Sequence, residues 1–116
     1  MRVLIVDDEQ NIRETLEEFL QDEGYEVKTA SNGADALSLM AGEEPPGLVI
    51  LDMILPLVSG PEVYERMQAD PRLCRVPVII STSAAAAAPN GPLVLQKPVN
   101  LDRLLAAVKN HCAGAP

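Results

Sequence analysis

The sequence predicts an α/β fold, a doubly wound sheet of five parallel strands in which one crossover helix is shortened or missing. Two observations carry this. Four short apolar runs, Val3 to Val6, Leu48 to Leu51, Val76 to Ile80 and Leu93 to Leu95, are rich in Val, Ile and Leu and do not alternate with polar residues. That pattern belongs to strands buried on both faces, as in parallel sheets. Between the runs lie segments of helical spacing, and the alternation marks βαβ units.

The elements follow in order. After Asp8, read as a helix cap, Ile12, Leu16, Phe19 and Leu20 fall on one face until Gly24 supplies a stop. Tyr25 to Ala30 forms a fifth, short strand, and Ser31, Asn32 and Gly33 open a second helix carrying Ala36, Leu37 and Met40. Pro45, Pro46 and Gly47 close it. Beyond Asp52 comes a loop, Met53 to Ser59, and Pro61 sits in the first turn of a third helix, where proline is tolerated. Asp70 and Pro71 end that helix. The last helix opens at Asn100 and repeats apolar positions at Leu101, Leu104, Leu105 and Val108.

A length of 116 residues with 47% hydrophobic content suits one domain, 1–116, with a real core. The net charge of −8 and nine scattered Lys and Arg residues leave no basic stripe, which argues against direct nucleic-acid binding and against anionic membrane surfaces. Cys74 and Cys112 have no metal-ligand spacing and read as plain thiols of a reducing compartment. No run is long enough for a signal peptide or a membrane span, so a cytoplasmic location is expected.

The function lies at the ends of the strands. In an open parallel sheet the site sits outside the carboxyl ends, and there the runs deliver Asp7 and Asp8, Asp52, Thr82 and Lys97 to one edge. Carboxylates so close repel unless one takes a proton or a cation resolves the conflict. An oxygen set of this kind suits Mg²⁺, which holds one or two carboxylates and coordinates phosphate oxygens. A carboxylate is a competent nucleophile toward phosphorus, and an ammonium and a hydroxyl stabilise the transferred group. Taken singly each residue has a plainer role: a cap, a turn, a strand end, a surface charge. Glu9 reads as a solvated first-turn acid, and His111 as a partner for the carbonyl end of the last helix.

The motifs Val6-Asp7-Asp8-Glu9, Asp52-Met53-Ile54-Leu55-Pro56 running to Ser59-Gly60, Pro77 to Thr82, and Lys97-Pro98 together resemble a response-regulator receiver domain of two-component signalling. The resemblance spans essentially the whole chain. It implies a flavodoxin-like sheet of order 2-1-3-4-5 and phosphoryl transfer to Asp52 from a phosphohistidine of a sensor histidine kinase or phosphotransfer protein. It implies Mg²⁺ bound by Asp8 and Asp52, with Asp7 acting largely through water and the Ile54 carbonyl completing the ligands. Thr82 and Lys97 would then grip the phosphoryl oxygens, and Lys97-Pro98 is expected to be cis. The product would switch binding of a downstream protein, as yet unknown, with a homodimer left open.

The chain departs from the family in two places. A crossover must return along about 5 residues of strand, roughly 17 Å, which needs on the order of 11 helical residues plus loops. Ser83 to Pro92 does not supply them, and Pro89, Asn90, Gly91 and Pro92 break helices. No helix longer than about two turns is expected there. Val94 stands where the family usually has an aromatic switch residue. Both departures favour an alternative, a receiver-like interaction module that works without phosphorylation, whereas Asp52, Thr82 and Lys97 argue against it. A phosphatase of the haloacid dehalogenase type needs a second aspartate two residues past the nucleophile, and Ile54 stands there. Ala113 to Pro116 reads as the possible start of a linker to an output domain.

Overall fold

The fold was established from a computed structural model that describes residues 2–42 and 44–113, the last two as backbone only. Strands β1 (Arg2–Val6), β2 (Glu26–Ala30), β3 (Leu48–Leu51), β4 (Val78–Thr82) and β5 (Leu93–Gln96) form one sheet of order β2-β1-β3-β4-β5, every pair parallel. Among the described residues four α-helices accompany it: α1 (Gln10–Asp22), α2 (Gly33–Gly42), α3 (Gly60–Ala69) and α4 (Leu101–Ala113).

Alternation along the central strands supplies both cores. Leu4, Val6, Val49, Leu51, Val78 and Ile80 pack with Ala36, Met40, Val63 and Met67 on the α2–α3 face. Val3, Ile5, Leu48, Ile50 and Ile79 pack with Leu16, Leu20, Leu104 and Val108 on the α1–α4 face. Both faces are covered, which is why these strands read as unbroken apolar runs.

Local chemistry sets the helix ends. At the end of α1 the Tyr25 amide donates to Leu20 O and the Gly24 amide to Gln21 O, with Gly24 at φ +95. This paired arrangement satisfies orphan carbonyls and needs the left-handed conformation that glycine adopts freely. Asn32 Oδ1 accepts from the Asp35 amide, Ser59 Oγ from the Glu62 amide and Asn100 Oδ1 from the Arg103 amide, capping the other three helices. The His111 ring donates from Nδ1 to Ala107 O at 2.8 Å, as expected of a basic group near a helix C-terminus.

Three readings of the sequence need correction. Asp8 does not cap α1: Glu9 is the N-cap residue without a side-chain cap bond, and Asp7 Oδ1 takes the Glu9 amide instead. β4 starts at Val78 rather than Val76, since Pro77 brings no donor to a ladder. β5 is not buried on both faces. It is an edge strand whose Leu93, paired with Ile79 on the α1–α4 face, is 43% exposed, and nothing larger than a 3₁₀ turn (Ala85–Ala87) lies between β4 and β5. The expected loss of the crossover helix is borne out, and on the α2–α3 face it leaves Val94 only half-buried. Cys74 is an exposed free thiol, while the side chain of Cys112 and residues 114–116 lie outside the described residues.

Candidate phosphoacceptor and metal site

The ladder continues past the strand ends and fixes the backbone of the site. The Asp7 amide donates to Ala30 O, the Asp52 amide to Val6 O and the Lys97 amide to Thr82 O, all at 2.9–3.1 Å. Asp7 and Asp52 are buried, Asp8 is exposed, and one carboxylate oxygen of each lies within 4.8 Å of the others.

Lys97 organises this cluster. Its Nζ stands 2.7 Å from Asp7 Oδ2, 2.9 Å from Asp52 Oδ2 and 4.0 Å from Glu9 Oε1, with the side chain 11% exposed. The Lys97–Pro98 peptide is cis. Burial works against the ammonium charge, but hydrogen bonds to Asp52 and Asp7 and the charges of the same two groups outweigh it, and the pKa lies above the ordinary 10.5. Lysine thus relieves the repulsion between Asp7 and Asp52. Asp8 is left with no hydrogen bond or ion pair among the described residues.

The remaining expected residues take distinct positions. Ile54 donates its amide to Asp52 Oδ1 at 3.2 Å, and its side chain is 58% exposed. Thr82, fully buried at the end of β4, accepts from the Ala84 amide at Oγ1. Its hydroxyl proton is therefore free to be donated elsewhere.

Two glycines brace the loop that follows Asp52. A Cβ on Gly60 would stand 2.1 Å from Asp52 O and 2.5 Å from Met53 Cα, and one on Gly33 would stand 2.0 Å from Val58 O. Between them Leu57 holds φ 70 and the Val58 amide donates to Pro56 O. Gly60→Ala is expected to lower unfolding free energy by roughly 1–3 kcal/mol, since the backbone it strikes is that of Asp52. Urea denaturation checks this, and an unchanged midpoint would contradict the close packing. Sequence reasoning missed Arg13, whose Nη1 donates to Asp7 O at 2.9 Å. The only signal was a basic side chain on the turn of α1 that rises beside the acidic loop.

The chain matches the family model of the response regulator receiver domain over residues 3–109. Response regulator MprA of Mycobacterium avium is 32% identical over 114 residues, covering 94% of this chain and 50% of that protein. A probable transcriptional regulator, ycf27 of Pyropia yezoensis, is 43% identical over 82 residues, 71% of this chain and 32% of that one. The chain thus spans half or less of the length of these relatives. Among solved structures, response regulator TrrA of Thermotoga maritima in complex with Mg²⁺ and BeF is 37% identical, with a TM-score of 0.82 and coverage of 95% of this chain and 97% of that one. The receiver domain of a Syntrophus aciditrophicus histidine kinase superposes with a TM-score of 0.87 at 24% identity, over 98% of this chain and 91% of that one, and so supports the fold. With its strand order, its acidic cluster and this match over nearly its full length, the chain belongs to the response regulator receiver domains of two-component systems.

Proposed function

We propose that this receiver, as a single domain over 1–116, is a phosphorylation switch that takes a phosphoryl group on Asp52 from a phosphohistidine of a sensor kinase or phosphotransfer protein. The observation that carries this reading is the Lys97 ammonium shared by Asp7 and Asp52, with Asp8 open beside them. One Asp52 oxygen attacks phosphorus, the P–N bond to the donor imidazole breaks, and the bonding pair stays with the imidazole, which picks up a proton.

Three carboxylates within 4.8 Å fit a hard divalent cation, so Asp7, Asp8 and Asp52, with the Ile54 carbonyl, are the residues that would hold Mg²⁺. Bound there, the ion neutralises charge on the phosphoryl oxygens. Asp8 is the free ligand. Asp7 accepts from the Glu9 amide and from Lys97, and toward the ion it acts largely through water. As phosphate arrives, Lys97 exchanges its bond to Asp52 for one to a phosphoryl oxygen, and the Thr82 hydroxyl donates to another.

The product is a change of affinity for a downstream protein in the cytoplasm. Among the described residues no helix is long and apolar enough to cross a membrane. The output surface must differ from a receiver with a full crossover helix, because β5 is bared and Val94 is half-buried where an aromatic is usual. Those two features also favour the alternative of an interaction module that works unphosphorylated. Incubation with a small phosphodonor, with and without Mg²⁺, decides between them by intact mass. One added phosphoryl group with Mg²⁺ alone is the expected result, and an unchanged mass in both overturns the switch.

The bond should be long-lived. Hydrolysis needs a water placed in line behind phosphorus, best oriented by a polar side chain. Ile54 and Ala84 flank the site two residues past Asp52 and Thr82, and neither orients water. Ile54→Asn is expected to speed loss of phosphate by about tenfold, equivalent to about 1.4 kcal/mol of barrier. Equal decay of the two proteins, followed by mass, would show that Ile54 does not set the lifetime.

A further inference from the structure

We infer that Arg13 is a positioning residue for the metal carboxylates: it aims Asp8 by pinning the peptide that joins Asp7 to Asp8. This rests on the Mg²⁺ reading above and adds a residue to it. Asp7 is held at its amide by Ala30 O, at Oδ1 by the Glu9 amide and at Oδ2 by Lys97. Asp8 has no partner among the described residues and is exposed. The freedom left in this loop is rotation of the Asp7–Asp8 peptide plane, which swings the Asp8 carboxylate. The carbonyl of that plane is the group that accepts from Arg13 Nη1 at 2.9 Å.

Arg13 is suited to such a clamp. Its own amide donates to Glu9 O at 3.0 Å, so it stands in the first turn of α1, and α1 is anchored in the core through Leu16 and Leu20. The guanidinium thereby ties the loop to a rigid element rather than to another loop. It is half-buried, so the bond is only partly exposed to competition from water.

Position and charge predict opposite results. A guanidinium near three carboxylates opposes a dication, so by charge alone its removal tightens Mg²⁺ binding. By positioning, its removal weakens binding, and loss of a hydrogen bond that orients ligands typically costs about tenfold or more in metal affinity. The test is calorimetric titration of the intact protein with Mg²⁺ alone, on wild type, Arg13→Leu and Arg13→Gln, with thermal unfolding in the absence of Mg²⁺ alongside. Both variants lose the charge, and Gln is too short to reach the carbonyl from the same backbone position. The expected result is a Kd about tenfold weaker in either variant that folds. A role confined to helix stability lowers the unfolding temperature and leaves Kd unchanged, and an equal or tighter Kd overturns the inference. If wild type itself takes up no Mg²⁺, the metal reading fails and this one with it; equal affinities sink Arg13 alone.

Discussion

Asp52→Asn abolishes phosphorylation: after incubation with a small phosphodonor and Mg²⁺, wild type gains the mass of one phosphoryl group and the variant gains none. Asn is nearly isosteric and its Oδ1 still accepts the Ile54 amide, so the loop geometry survives. What is lost is the anionic nucleophile, since an amide oxygen is a poor one and the amide nitrogen offers no lone pair. The outcome is all or none because no other carboxylate has the same setting. Asp7 and Asp52 share Lys97, but only Asp52 ends the middle strand β3, between the strands that lead to Asp7 and Thr82, and Asp8 is exposed with no ion pair among the described residues. Chelation of Mg²⁺ gives the same blank spectrum in wild type. A phosphoryl adduct on the Asn variant would move the acceptor role away from Asp52.

The sheet was legible in the sequence because its central strands are buried on both faces by α1 and α4 on one side and α2 and α3 on the other. Such strands leave uninterrupted apolar runs, and the polar residues that end them mark the edge where ligands sit. β5 misled for the same reason. Leu93 to Leu95 is as apolar as the others, but whether a helix covers a strand is decided by the neighbouring crossover and not by the strand's own residues. The loss of that helix was itself readable, from the count of residues between Thr82 and Leu93 and the breakers among them.

Within the site, residue types were legible and hydrogen-bond assignments were not. Asp8 has the composition of a helix cap, yet the Glu9 amide goes to Asp7, because Asp7 is buried at the strand end and has an oxygen turned toward α1. Gly60 carried a motif without a reason. The reason is contact with the Asp52 carbonyl, from a residue eight positions later in the chain. Arg13 was passed over because an arginine on a helix reads as solvated surface until the fold brings a carbonyl within 2.9 Å.

The largest effect on stability is expected from Lys97→Met. Methionine keeps the unbranched apolar stem, one atom shorter, and removes the charge, leaving Asp7 and Asp52 with side chains 3% and 6% exposed and no cation between them. Breaking a buried pair by removing one partner costs about 3–5 kcal/mol, a large share of the 5–15 kcal/mol that holds a typical domain together. The pH dependence follows from the raised pKa of Lys97. Its stabilising contribution is fully present below the unfolded-state value, near the ordinary 10.5, and is lost as pH rises through the higher folded-state value. Wild type and variant therefore differ most from neutral pH up to about pH 10 and converge above it. Mg²⁺ at neutral pH restores more stability to the variant than to wild type, since it replaces a missing countercharge in one and joins an existing one in the other. Urea denaturation at several pH values, with and without Mg²⁺, measures all of this. If the variant without Mg²⁺ is as stable as wild type at neutral pH, Lys97 is not what holds the two carboxylates together.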